Sequence, residues 1–381
     1  MKFPTDKFET RQTPFYYYDA DLLDETLQTI KSQLQPGDHM HFAVKACTNP
    51  GVLAHVIRAG FGADCVSGGE IQVCLDAGFP ADKIVFAGVG KSDWEILLAL
   101  RTDIFCFNVE SIPELEVINQ LAQREGRTAR VAFRINPNVG AHTHDTITTG
   151  RAENKFGIAM EDMVEVIRLS RQLPNVECIG LHFHIGSQLL DMDDFATLSL
   201  RINELQEELD CYGIVLPHIN VGGGLGIDYI EPDLHPMADF ASYFATFRRY
   251  LRLRPGQQLH FELGRAIVAQ CGSLITRVLY VKQGAVKKFV IVDAGMTELI
   301  RPALYDAHHC IQNLTNDEGD EIYDVVGPIC ESSDVFAKDL PLPHCSRGDL
   351  MAIRSAGAYG ETMASQYNCR PLSTGVLSTD L

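Results

Sequence analysis

Positive charge is scarce in this sequence: 32 lysines and arginines stand against 50 aspartates and glutamates, a formal net charge of −18. Such a balance argues against nucleic acid and anionic membrane as partners. No apolar run approaches the about 18 residues of a membrane-spanning helix. The polar stretch from Met1 to Thr13 lacks the apolar centre of a signal peptide, so a cytoplasmic protein is expected. The eleven cysteines are odd in number and contain no C-x-x-C pair, which reads as reduced thiols and not as a disulfide framework or zinc site. A G-x-G-x-x-G after the first strand-like run is also missing, which weakens a doubly wound dinucleotide fold. What remains is an ordinary globular composition, 46% hydrophobic over 381 residues, enough for one large domain or two.

Short β-rich runs alternate with amphipathic stretches from residue 40 to about 265. The strand runs are His41–Lys45, Gly62–Val66, Ile84–Ala87, Ile104–Val109, Arg130–Asn136, Cys178–Ile185, His218–Gly222 and Leu259–Leu263. Between them, Ser92–Arg101, Ser111–Arg124, Glu161–Gln172 and Asp194–Cys211 carry apolar residues at helical spacing. Eight strand–helix units in this length predict an α/β fold, a TIM (β/α)8 barrel, over residues 36–271. After Gly272 the pattern turns to strands and turns, with runs at Leu274–Val281, Phe289–Asp293, Tyr323–Val326 and Leu350–Ser355. The strand-like Pro14–Asp19 is expected to join them. Residues 1–35 and 272–381 then form a second, β-rich domain, a β-barrel or sandwich.

In such a barrel chemistry gathers at the C-terminal strand ends. Lys45 closes the first run. On that stretch alone a snorkelling lysine is favoured, but a desolvated amine is also a nucleophile toward an aldehyde. The second run ends in Asp64 and the sixth in His182-Phe183-His184-Ile185-Gly186-Ser187. The seventh ends in Gly222-Gly223-Gly224, which suits either a phosphate cradle or a turn needing positive φ. Glu262 ends the eighth run, where a bare carboxylate is costly. It could serve a pyridinium nitrogen or pair with Arg265. His182 and His184, two apart, are expected on one strand face. An H-x-H metal site would want further His or Asp ligands at other strand ends, so no metal is expected. His142, His144, His308 and His309 read as loop or surface histidines.

These residues sit in ordered motifs: FAVKA ending at Lys45, GADCVSGGE from Gly62, ENKFGI from Glu153, GLHFHIGSQ from Gly180, NVGGGLGIDY from Asn220 and ELGR from Glu262. DAGMTELIRPALYDAHH from Asp293, GPICESSD from Gly327 and GAYGETMASQYN from Gly357 follow. Over nearly the whole chain the sequence resembles the fold-type III pyridoxal-phosphate-dependent decarboxylase family, most closely its diaminopimelate decarboxylases. The resemblance implies pyridoxal 5'-phosphate held covalently by Lys45, with His184 stacked on its ring and Glu262 at its ring nitrogen. Asp64, Ser187, Gly222, Gly223, Gly224, Gly264, Arg265 and Tyr359 would complete the cofactor site. Arg265, Arg301, Tyr305, Glu331 and Tyr359 would bind the amino-acid substrate. Catalytic roles fall to Lys45, His184 and Cys330. It further implies a homodimer in which Cys330 and Glu331 cross to the partner's site. The loop Asn138–Arg151 is expected to act as a lid. Ser333 departs from the glycine more usual there. Other readings of the same resemblance are a decarboxylase of ornithine, lysine or carboxynorspermidine, a racemase, or a non-catalytic pyridoxal-phosphate binder.

Overall fold

The computed structural model describes residues 2–140 and 155–381. His142, His144, the start of the ENKFGI motif and almost all of the expected lid lie outside the described residues. Two compact units divide the chain. One comprises Leu27–Gly226 and Asp239–Gly264; the other comprises Met1–Thr26, Ile227–Ala238 and Arg265–Leu381.

The first unit is a closed barrel of eight parallel strands. They are Asp38–Ala43, Gly62–Cys65, Ile84–Phe86, Cys106–Val109, Ala129–Asn136, Val176–His182, His218–Asn220 and Gln258–Leu263. Each pairs with the next in chain order. The ring closes where Leu263 lies opposite Phe42. The central parts of the strands are buried, as expected when helices cover an all-parallel sheet. All eight expected strands are present, but the first stops at Ala43 and the sixth at His182.

Local sequence explains where the covering helices start and stop. Ser67 and Ser111 cap Gly68–Ala77 and Ile112–Glu125, their side chains accepting from the amides of Glu70 and Glu114. Ser92 and Glu95 form a reciprocal capping box for Asp93–Thr102. Gly60, Gly78 and Gly126 end their helices in the left-handed conformation. A cluster of Phe195, Tyr243, Phe244, Phe247 and Phe261, mostly edge to face, packs two late helices onto the last strand.

Polar chemistry also enters the sheet. His41 Nδ1 lies 3.2 Å from the Lys83 carbonyl, and His41 Nε2 lies 3.0 Å from His260 Nδ1. His260 Nε2 lies 2.9 Å from His218 Nδ1. A carbonyl only accepts, so the chain of contacts places the proton on Nδ1 of all three rings, each donating to the next acceptor, and requires His41 and His260 to be neutral. Gly62 is required beside this column, because a Cβ there would run into the Lys83 carbonyl and lie 2.7 Å from His41 Nδ1.

The second unit is built on a mixed eight-stranded sheet. Its longest strand, Gly272–Gln283, pairs antiparallel with Lys288–Val292 and Leu350–Ile353. It also pairs with Phe15–Tyr18, which in turn runs parallel to Gly375–Leu377. The N-terminal strand thus joins the C-terminal sheet as expected. Phe8, Phe15, Tyr17, Ile275, Leu350, Ala352 and Val376 form one core cluster, each large side chain contributing about 2 kcal/mol by burial. Three strands escape the sequence pattern: Ile311–Asn313, Val335–Leu342 and Gly375–Leu377. The segment Ile227–Ala238 belongs to this unit through Asp233, paired with buried Arg354 at 2.9 Å, and Tyr229, bonded to Arg265.

Candidate functional site

Lys45 is not the last residue of a strand. It lies in a tight 3-10 turn, Val44–Ala46, immediately after the first strand, and is half-buried. The turn packs close to the end of the last strand. A Cβ at Gly264 would come within 3.0 Å of the Ala43 Cβ and 3.1 Å of the Ala46 Cβ. The Lys45 charge acts on three neighbouring groups: it adds to burial in lowering the His184 imidazole, and it opposes burial at the Asp64 and Glu70 carboxyls, which burial nonetheless holds raised. Burial and the charge of Glu262 outweigh that pull at Asp64 and hold its carboxyl well above the usual range. Its Oδ1 has no hydrogen-bond partner among the described residues.

Glu262 is the best-furnished carboxylate of the barrel. His182 Nε2 meets its Oε2 at 2.8 Å, and the Asn220 and Asn108 amides donate to Oε1 at 2.6 and 3.2 Å. All four residues are buried. Burial raises the carboxyl, but His182 beside it, with His41 and the Asn220 amide, overcomes that and holds it at about 2. Its side-chain partner is therefore His182 and not Arg265. The expected shared face of His182 and His184 is not realised, because the strand ends between them: His182 points to Glu262, while His184 Nδ1 accepts from the Gly223 amide at 3.4 Å. Burial, reinforced by the cations of Arg134 and Lys45, keeps His184 neutral well below the usual imidazole range.

The three glycines are forced by their neighbours. A Cβ on Gly222 would strike the Phe183 carbonyl, one on Gly223 the Glu262 carbonyl, and one on Gly224 would lie 2.7 Å from the Gly186 carbonyl. Gly222 and Gly224 also have positive φ, 71° and 105°. The loop after the seventh strand is thereby drawn tightly between the ends of the sixth and eighth. Among the described residues no three His, Cys, Asp or Glu side chains group as a metal site. A phosphorylated pyridine aldehyde fits the rim better. The rim offers an amine, an ionised carboxylate, a neutral imidazole, an unpartnered Asp64 oxygen and a backbone cradle that any Cβ would fill.

In the second unit several of the residues expected at the site form an arginine–tyrosine cluster. Arg265 donates to the Tyr229 hydroxyl at 2.6 Å and lies 4.9 Å from the Tyr359 ring centre. Arg301 lies 4.8 Å from the Tyr229 ring centre and meets His309 Nε2 at 2.8 Å. His309 Nδ1 donates to the Arg354 carbonyl at 2.8 Å, which leaves Nε2 as the acceptor for the guanidinium. His309 is therefore no surface histidine. It is 1% exposed and held neutral at about 3, by burial and then by the Arg301 cation. Arg301 itself is buried, and among the described residues no carboxylate pairs with it. Tyr359 holds a left-handed backbone, φ 57°, uncommon for a bulky residue and frequent at functional sites. Tyr305 closes the short helix Arg301–Tyr305 and is half-buried.

Cys330 and Glu331 are exposed on a loop fixed from beneath by Asp334. The Asp334 carboxylate accepts from the amides of Ile329 at 2.7 Å and Met296 at 2.6 Å. A Cβ on Gly327 would collide with that carboxylate, which gives the first residue of GPICESSD its reason. Ser333, the departure from the family pattern, is exposed, its hydroxyl 3.8 Å from the Met296 sulfur. His182, Asn108, Tyr229, His309 and Asp334 were not singled out as site residues by sequence reasoning. The HFH and DAHH motifs held two of them in plain view, but only side-chain direction reveals which histidine does what.

The family described as pyridoxal-dependent decarboxylase, pyridoxal binding domain, matches residues 21–269. The diaminopimelate decarboxylase of Bacteroides thetaiotaomicron is 63% identical over all 381 residues, 99% of its own length. The crystal structure of diaminopimelate decarboxylase from Helicobacter pylori, complexed with L-lysine, superposes with a TM-score of 0.92 at 42% identity, covering 98% of this chain and 93% of that one. The lysine/ornithine decarboxylase of Vibrio vulnificus, at 21% identity and a TM-score of 0.83, shares the fold. With 63% identity over the full chain and the family match over its barrel, the chain belongs to the pyridoxal-dependent decarboxylase family, among its diaminopimelate decarboxylases.

Proposed function

We propose that this chain decarboxylates meso-2,6-diaminopimelate to L-lysine and CO2 with pyridoxal 5'-phosphate as cofactor, the last step of lysine biosynthesis. The observation that carries this reading is Arg301, a buried guanidinium without a carboxylate partner among the described residues. An unpaired buried cation is costly, and the second carboxylate of diaminopimelate offsets that cost through a bidentate, charge-assisted pair. Ornithine and lysine bring no such group.

When bound, pyridoxal phosphate supplies the electron-withdrawing ring that takes up the electron pair left by departing CO2. Lys45 would hold the cofactor through Nζ. Glu262, ionised, would keep the ring nitrogen protonated. Neutral His184 would lie against the ring, with the buried Asp64 carboxyl as a further cofactor-site residue. Ser187, Gly224, Arg265 and Tyr359 would bind the phosphate, and Gly222, Gly223 and Gly264 would complete the cofactor site. Arg301 and Tyr305 grip the distal carboxylate, Glu331 receives the distal ammonium, and Cys330 Sγ delivers a proton to the substrate carbon after CO2 has left.

The exposure of Cys330 and Glu331 in the single chain supports a homodimer in which each copy lends this pair to the other's site. The eleven cysteines, none of them in a disulfide, support a reducing, cytoplasmic setting. Among the described residues no helix is long and apolar enough to cross a membrane. Purified holoenzyme offered meso-diaminopimelate, ornithine and lysine in separate assays tests the reading. Stoichiometric CO2 and L-lysine from the first substrate are expected; faster turnover of either of the others would overturn it.

A further inference from the structure

The Asp334 staple fixes the backbone of the Cys330–Glu331 loop at Ile329, but the two working residues are held from elsewhere. Tyr367 donates its hydroxyl to Glu331 Oε1 at 2.6 Å, and Asn368 Oδ1 accepts from the Cys330 amide at 3.2 Å. Both come from one short turn, Tyr367–Cys369. That turn is itself anchored on either side: the Ser365 amide donates to the Thr297 carbonyl at 2.9 Å and Arg370 donates to the Asp293 carbonyl at 2.6 Å.

The backbone of the turn is unusual. Asn368 and Cys369 are consecutive left-handed residues, φ 54° and 57°. Asparagine tolerates that region better than most residues, whereas cysteine gains nothing from it. Such strain persists where the surroundings demand one geometry. Here the demand is that a phenol and an amide reach one carboxylate and the adjoining peptide together. Tyr367, Asn368, Cys330 and Glu331 are all exposed. An exposed hydrogen bond to a carboxylate adds little to stability, so the value of this arrangement lies in direction. With Oε1 occupied by Tyr367, Glu331 presents Oε2.

We propose that Tyr367 and Asn368 are positioning residues of the decarboxylation: Tyr367 turns the Glu331 carboxylate toward the substrate's distal ammonium, and Asn368 fixes the peptide that carries the Cys330 thiol. This rests on the roles given to Cys330 and Glu331 above. It divides the two effects. Loss of the phenol hydroxyl misdirects a binding group, whereas loss of the amide loosens a proton donor.

Steady-state kinetics of the holoenzyme variants test it, with cofactor absorbance and gel filtration as controls for folding and assembly. Tyr367→Phe is expected to raise KM for meso-diaminopimelate about tenfold with kcat within threefold of wild type, and to add nothing further in a Glu331→Gln background. Asn368→Gly keeps the left-handed backbone but removes the acceptor; it is expected to lower kcat about tenfold with little change in KM. Asn368→Asp, which restores an acceptor, should recover most of that loss. Unchanged KM in Tyr367→Phe while Glu331→Gln raises it would overturn the Tyr367 role alone. Unchanged kcat in Asn368→Gly while Cys330→Ala loses activity would do the same for Asn368. Parallel losses of kcat, KM and dimer content would mark a merely structural role and also overturn it. If Glu331→Gln and Cys330→Ala are themselves kinetically silent, the underlying assignment falls and the proposal with it.

Discussion

His182 Nε2 and Glu262 Oε2 stand 2.8 Å apart, both buried, at the ends of the sixth and eighth barrel strands. The pair explains how a carboxylate stays ionised in an apolar barrel. Burial alone raises its pKa, and the imidazole with the Asn220 amide reverses the sign. His182→Gln removes that imidazole, so the Glu262 carboxyl should rise from about 2 toward its ordinary value. Because a depressed carboxyl loses its contribution as pH falls through its folded pKa, the acidic limb of kcat should move to higher pH in the variant. Glu262→Gln should cost more, on the order of 100- to 1,000-fold in kcat. An acidic limb that stays put in His182→Gln would show that His182 does not tune Glu262.

Arg301 should decide specificity and not cofactor binding. Arg301→Ala is expected to lower kcat/KM on diaminopimelate by at least about 100-fold while the cofactor absorbance remains. Arg301→Lys keeps a charge but loses the two-pronged grip, and should recover only part of the loss. The ratio of activity on diaminopimelate to activity on lysine is the informative quantity. If that ratio is unaltered in both variants, Arg301 does not read the second carboxylate.

The barrel was legible because strand and helix periods alternate eight times, and because parallel strands buried on both faces are nearly continuous apolar runs. The residues that tune the site were less legible. Lys45 and His184 were read as strand residues, yet both lie just beyond strands that stop at Ala43 and His182. Two residues past a strand end are enough to redirect a side chain, and apolar runs do not show where pairing ceases. His309 reads as a surface residue because the pair His308-His309 lies outside the strand runs; its partners, Arg301 and the Arg354 carbonyl, are not evident from that local pattern. Asn108 and Asn220 had no motif chemistry of their own. Their meaning appears only when Glu262 is placed between them.

The histidine column predicts acid sensitivity. Burial holds His41 and His218 at about 4 and His260 well below the ordinary range. The unfolded chain therefore binds these protons near pH 6.5, before the folded chain does. The contribution of these rings should be level above about pH 6.5 and fall as pH drops, with that of His41 and His218 lost by about pH 4. His41 alone accounts for roughly 3 kcal/mol of the decline. One added proton fits at His218 Nε2 without breaking the column, but a second must break a ring-to-ring hydrogen bond. Urea unfolding from pH 7.5 to 4 should show this slope in wild type and a shallower one in His218→Gln. Equal slopes would remove the column as the cause.

Glycine substitutions should separate the demands of space from those of backbone angle. At Gly60 φ is +87° and nothing lies within 4 Å of an added Cβ, so Gly60→Ala meets only conformational strain, about 1 kcal/mol. Gly223 is the opposite case: its φ is not in the left-handed region, but an added Cβ would overlap the Glu262 carbonyl oxygen. The Glu262 carbonyl belongs to a barrel strand and cannot yield as a flexible side chain would. Gly223→Ala must therefore push the glycine loop outward, away from the His184 ring that its amide now touches. The expected result is a loss of several kcal/mol in stability, together with weakened cofactor retention measured by dialysis and absorbance. Gly60→Ala should retain cofactor at wild-type strength. Tight cofactor binding by a stable Gly223→Ala protein would show that the loop can shift without consequence, and that its three glycines answer to packing alone.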